Sequence, residues 1–354
     1  MKGSATRVAL VCALLAVGLV ASILAAISFG TSDLPVRTAY EVLKDVLLNG
    51  GAGEAAGQYT RAQYQIVWNI RLPRVLFGLV CGMGLSLCGA VMQSLVMNPI
   101  ADPYVLGISS GASAGAAWAL LMPLPYFVGQ YQVTVTAMLG ALIASALVYT
   151  MAKAGGGGQI RGVTLLLSGT AVNAVMSAIT SLLIFLAKSP ESIAAVYNWQ
   201  MGSIAAAQWP TLSLPLLCTG VGLVFFCLCA GRLNMMMLGD EDAMSMGLNV
   251  RRFRLLMFSL CSLVVAALVS VTGIIGFVGL VVPHMVRFMT GTSNNRVVIP
   301  LSALMGGIFL IWADAASRGL FGRAELPLGI ITAFVGAPFF LYLMVRRRGM
   351  GGTE

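Results

Sequence analysis

The sequence predicts an all-α membrane protein, a polytopic bundle of about ten transmembrane helices with both termini cytoplasmic, forming one domain over 1–354. Three observations carry that prediction. Only 9% of the residues are charged, where a soluble chain carries roughly a quarter. The charges fall mainly between ten apolar runs, and most runs reach the ~20 residues a helix needs to cross a bilayer. The runs do not alternate polar with apolar residues as barrel strands would, and helices satisfy their own backbone hydrogen bonds in lipid.

The first run, 8–29, exceeds a signal-peptide core and reads as a retained span. The segment 30–73 has a Gly/Ala patch from Asn49 to Gly57. It has room for a short surface helix but not for a domain core. The second run, 75–97, is entered through Arg71-Leu72-Pro73-Arg74. Pro73 suits a helix start, where its missing N–H costs nothing. The two arginines either snorkel to the interface or offer a docking point for carboxylates of an external partner. Asn98-Pro99-Ile100-Ala101-Asp102-Pro103 comes next. Its two prolines stop a helix, and Asn98 and Asp102 can cap helix ends. The result is a stiff polar elbow, read as a plain turn or as a constriction at the inner mouth of a pathway.

The third run, 104–122, carries Gly107, Gly111 and Gly115 with Ser109 and Ser113 between them. Such a stripe packs helices closely or lines a pathway. Runs four and five, 133–152 and 163–187, flank Gly155 to Gly158. No Lys-Ser/Thr comes after these glycines, so a phosphate loop is not expected. The sixth run is 211–230. In the inner loop 231–254, Leu238 to Leu248 reads as a short capped helix. Asp240, Glu241 and Asp242 suit its first turn, and Gly247 suits its left-handed end. Ala243, Met244, Met246 and Leu248 give it an apolar ridge that fits a partner's groove. The other placement, on lipid headgroups, sets three acids against an anionic leaflet.

Run seven is 255–272. Run eight, 274–290, is the weakest span, because Pro283, His284 and Arg287 crowd its end. A proton relay at His284 would want acidic neighbours within the membrane, so a structural histidine is expected. In run nine, 298–317, Asp314 lies four residues before Arg318, spacing that lets the two neutralise each other. The tenth run is 328–345.

An even number of spans puts both termini on one side. Lys2, Arg7 and Arg346 to Arg348 then join the inner segments, which hold more Lys and Arg than the outer ones. The net charge of +9 suits contact with anionic lipid and needs no nucleic acid. The seven cysteines are odd in number and lack a Cys-x-x-Cys pair. They read as small buried hydrophobes. With one histidine, no metal-ligand set is expected, and no span offers a nucleophile with a base and an orienter. Gly89 to Pro99 and Gly273 to Pro283 share a spacing that would fit inverted repeats, a weak pattern.

Together these segments resemble the FecCD-type permease family, the membrane subunits of type II ABC importers for ferric siderophores, haem and cobalamin. The matching stretches run in family order over roughly 66–345. They are Arg71-Leu-Pro-Arg74, Asn98-Pro-x-Ala-Asp-Pro103 with Gly107-Ile-Ser-Ser-Gly111, the 238–248 loop, and Gly276-Phe-Val-Gly-Leu with Pro283-His284 and Arg287. Ala313-Asp314 with Arg318, then Glu325-Leu-Pro-x-Gly329 with Gly336-Ala-Pro338-Phe-Phe, complete the set.

The resemblance implies a permease of ten helices in a bacterial or archaeal plasma membrane, working as a dimer with a second permease copy or with a related second chain. It implies two cytoplasmic ABC ATPase subunits, which use ATP and Mg, and an extracytoplasmic substrate-binding protein. The chain lacks a Walker-type Gly-x-x-x-x-Gly-Lys-Ser/Thr sequence, so hydrolysis falls to the partner and no cofactor is expected here. The family's ATPase-docking helix corresponds to Asp240, Glu241, Ala243, Met244, Gly247 and Leu248. Its binding-protein arginines correspond to Arg71, Arg74 and Arg318. Its inner gate and pathway correspond to Asn98, Ile100, Gly107 and Gly111. Ile274 stands where proline often comes after the glycine, and Thr292 to Asn295 replace the usual Asp-His. The implied cargo is a bulky metal chelate, foremost a ferric siderophore, with haem and cobalamin as alternatives. An ion-gradient-driven transporter is the rival reading, which wants more ionisable residues near the midplane.

Overall fold

The computed structural model describes residues 2–29, 34–50, 57–122, 129–157, 160–319 and 325–350. Those residues form helices and connecting turns, without a strand. The chain opens with α1 (Lys2–Ser28) and a short amphipathic α2 (Val36–Asn49), which fills part of the room seen in the first loop. Then α3 (Arg61–Tyr64), a π turn (Gln65–Arg71) and α4 (Leu72–Val96) run on as one 36-residue helix. Thr60 starts it with a capping box. The π turn admits an extra residue and rotates α4 relative to α3, a device common at functional sites.

After α4 the chain reverses through the elbow and a 3-10 turn (Pro103–Leu106) into α5 (Ile108–Leu121). Next come α6 (Gln132–Gly155), α7 (Gly162–Phe185), α8 (Pro190–Gln200), α9 (Trp209–Met236) and α10 (Asp240–Ser245). The chain closes with α11 (Val250–Thr272), α12 (Val278–Thr290), α13 (Asn295–Gly319) and α14 (Leu328–Met350). Seven helical stretches among the described residues are long and apolar enough to span a bilayer. Ile108–Leu121, Val278–Thr290 and Leu328–Tyr342 are shorter apolar helices.

The ten apolar runs fall on these stretches, but several bounds shift: the helix of the second run begins already at Arg61, that of the sixth reaches Met236 and that of the seventh begins at Val250. The third run starts as a helix only at Ile108, because Asp102 and Pro103 impose the 3-10 turn. The eighth starts at Val278, because Gly273 to Gly276 are not helical and Phe277 holds φ 68°.

The core is built around α4. Across its most apolar stretch 83% of residues are buried, against 28% in α1 and in α7. Lipid tails are as apolar as leucine, so spans associate by close packing instead. Accordingly α4 and α13 touch through their backbones. A Cβ added to Gly82 would lie 2.0 Å from the carbonyl oxygen of Gly306. The third-run stripe behaves alike: a Cβ on Gly111 would stand 2.4 Å from the Gly140 oxygen on α6. Gly107 and Gly111 are both buried between helices. That burial is what the packing alternative expects.

Candidate functional site

Two arginine centres sit at opposite ends of α4. At its N-terminal end, Arg71 closes the π turn and is 3% exposed. Its Nη1 donates to the carbonyls of Ile27 at 3.0 Å and Ser28 at 3.1 Å. Arg318 of α13 donates to Phe29 and Ala26. Two guanidinium groups thus satisfy the carbonyls that the end of α1 leaves without helical partners, where the helix dipole also favours positive charge.

Arg74 lies one helical turn further along. It reaches Asp314 at 2.9 Å and Glu325 at 3.0 Å. Asp314 also holds Arg318 at 3.1 Å, so the expected pairing of those two is present. Asp314 is buried between two cations, whereas the Glu325 side chain is 36% exposed. A buried charge left unpaired costs several kcal/mol, which is why Arg71, Arg74 and Arg318 turn inward onto acceptors of their own chain. The family correspondence instead implies that they face a partner. In this structure Glu325 is the exposed member of the cluster's ion pairs.

At the other end, the last turn of α4 is gripped from several sides. Gln93 donates to the carbonyls of Gly279 and Leu280 and accepts from Arg287. Ser94 donates to Asn295 at 3.2 Å. The Leu95 carbonyl accepts from Arg254 at 3.4 Å. Met97 then takes φ 53° and the elbow begins. Asn98 Oδ1 accepts from the Ile100 N–H at 3.1 Å, the local bond that makes Asn a turn former. Asp102 caps the 3-10 turn through Tyr104 N at 2.9 Å. Burial pushes the Asp102 carboxyl up to about 6, against the opposing pull of that N–H. The elbow is therefore stiff, and Ile100 at its tip is exposed.

The expected helix in the 231–254 loop is α10. Its three acids occupy the first turn and only Ala243 is buried. Gly247 ends it at φ 84°, and Leu248 N returns to the Ala243 carbonyl at 3.1 Å, the closing geometry glycine favours. Met244 and Met246 are exposed, as are Glu241 and Asp242. Asp240 turns back instead. It takes both ends of the Arg254 guanidinium, at 2.6 Å and 3.0 Å. Arg254 is 1% exposed and also donates to the Ile160 carbonyl. Arg254 does not stand out in the sequence, because it lies at the end of the 231–254 segment that reads as a loop. Asn249, whose side chain caps α11 through Arg252 N, was the available signal that a helix already starts there. A cavity of ≈ 1050 Å³ opens between Met97, Arg161, Asp240 and Arg251.

No group of three or more His, Cys, Asp or Glu that could hold a metal occurs among the described residues. His284 is half-buried in α12. Five cysteines are buried, as expected, while Cys12 and Cys227 are exposed on their helices.

Residues 18–346 match the model of the FecCD transport family. The chain belongs to that family. It is 40% identical over 293 residues to the hemin transport system permease protein HmuU of Yersinia pestis, covering 81% of this chain and 85% of that one. It is 42% identical over 279 residues to the cobalamin import system permease protein BtuC of Halobacterium salinarum, covering 79% and 73%. Among solved structures it superposes on an inward-facing conformation of a putative metal-chelate type ABC transporter. The TM-score is 0.79 at 27% identity, over 94% of this chain and 97% of that one. This FecCD member is thus a multi-pass membrane protein whose relatives are transport permeases rather than enzymes.

Proposed function

We propose that the chain is the membrane subunit of an ATP-driven importer for a bulky metal chelate. In this reading it crosses a bacterial or archaeal plasma membrane ten times, with both termini cytoplasmic, and pairs with a second copy of itself. Two ABC ATPase subunits, which bind ATP and Mg, press against α10 from the cytoplasm. A substrate-binding protein docks at the opposite end of the bundle.

The observation that carries this reading is α10 itself. It is a capped, acid-tipped helix with Met244 and Met246 exposed, and exposed apolar ridges of this kind seat in grooves of partner proteins. Asp240, Glu241, Ala243, Met244, Gly247 and Leu248 form the coupling element. Asn98 and Ile100 act at the inner gate, with the Gly107 and Gly111 helix packed behind them. Arg71, Arg74 and Arg318 serve binding-protein docking, with Arg74 exchanging Glu325 for a carboxylate of the partner. The cargo is a ferric siderophore, haem or cobalamin; the hemin and cobalamin permeases among the relatives support a metal chelate of that size.

Co-purification with the cognate ATPase tests the proposal. The unaltered permease is expected to bring down the ATPase, and Met244→Glu with Met246→Glu to lose it. Retention of the ATPase by the doubly substituted protein, or its absence from the unaltered one, would overturn the coupling role of α10.

A further inference from the structure

We propose that Arg254 is a positioning residue for transport, the joint that passes displacement of α10 to the elbow. The inference rests on the reading that a partner ATPase moves α10. One guanidinium touches three separate pieces of chain: Asp240 on α10, the Ile160 carbonyl before α7, and the Leu95 carbonyl in the last turn of α4. Leu95 lies two residues before Met97, where the chain turns into the elbow.

The geometry of the link makes it stiff. Both Nη groups of Arg254 engage both oxygens of Asp240, and a two-point contact fixes orientation as well as distance. At 1% exposure the arginine is little screened by salt. Asp240 is the inward-turned acid of the three, whereas Glu241 and Asp242 are exposed. The pieces that Arg254 joins also touch each other. A Cβ on Gly162, the first residue of α7, would lie 2.7 Å from the Val96 oxygen. Arg254 therefore bonds α10 at once to the start of α7 and to the end of α4, beside the packing of α10 on α9. A lysine there would keep the charge but make one contact where the arginine makes several.

The test uses the assembled permease–ATPase complex with Ile100→Cys as reporter. The rate at which a charged maleimide modifies this position is compared without nucleotide and with ATP plus vanadate. In the otherwise unaltered permease the two rates are expected to differ about fivefold or more, the lower range of coupling between sites. Adding Arg254→Lys, or separately Asp240→Asn, should bring the two rates together. A role in stability alone would lower the yield of complex and leave the ratio intact. Should Arg254→Lys fail to fold, Asp240→Asn on the outer side of the pair still decides. A ratio that persists in both variants overturns the inference and spares the importer reading. So does an Arg254→Lys permease that purifies without its ATPase, since that places the residue in docking. An unaltered permease that shows no nucleotide response removes the gate assignment, and this inference with it.

Discussion

The two ends of α4 handle buried arginines in opposite ways. At the N-terminal end, three arginines share two carboxylates and the carbonyls that finish α1, and most groups have more than one partner. At the C-terminal end, one arginine holds one carboxylate and two carbonyls from three segments. The first arrangement is redundant and resists deformation. In the second, one side chain ties three segments together beside the separate holds of Gln93 and Ser94 on α4, which suits transmission. Between them, α4 is buried along most of its length and serves as the rod that both centres grip.

Removing the centre of the redundant cluster should have the largest effect. Asp314→Ala leaves Arg318 without its carboxylate and Arg74 with Glu325 alone, and about 3–5 kcal/mol of stability should go. Thermal unfolding of the purified protein reads this directly, and an unchanged midpoint would show that the cluster is not the anchor. The rod comes next. A Cβ on Gly89 would stand 1.9 Å from the Gly279 oxygen. Gly89→Ala should therefore push α12 away at about 1–3 kcal/mol, the usual range for overpacking. Full stability of that variant in the same assay would mean the helices separate freely.

A smaller effect belongs to α10. Gly247→Ala forces a side chain into the left-handed region at φ 84°, at a cost of roughly 1–2 kcal/mol. Transport per ATP should fall more than stability does, and equal losses would count against a coupling role. The smallest effect is at Glu325, whose side chain is partly exposed. Glu325→Gln should cost at most about 1 kcal/mol. It should also raise affinity for the binding protein, because it removes a competitor for Arg74. Weaker binding in a pull-down would show that Glu325, not Arg74, meets the partner.

The same contrast between local and distant partners marks what the sequence could disclose. Hydropathy over a bilayer's thickness is a coarse and strong signal, so the ten apolar stretches are legible, while the polar start of the second helix at Arg61 and the far end of the sixth at Met236 are not. The capped helix at 240–248 was legible because its acids, its closing glycine and its apolar ridge lie side by side in the chain. The Asp314–Arg318 pair was legible at four-residue spacing. Arg74 and Asp314 are 240 residues apart, and no local pattern joins them. The π turn that points Arg71 inward leaves no mark in residue type. Ser189-Pro190-Glu191 does spell the start of α8: Ser189 accepts from Ser192 N, Pro190 opens the first turn and an acid comes next. That helix is short and lies outside the apolar runs, so hydropathy alone does not reveal it.

In the proposed importer, nucleotide turnover by a partner drives cargo through this bundle. Uptake of a chelate offered on the cognate binding protein, measured in proteoliposomes holding permease and ATPase, tests it most directly. Uptake should stop when ATP is withheld and continue when ionophores collapse the proton and sodium gradients. Uptake that survives without ATP and ends with those gradients would contradict it.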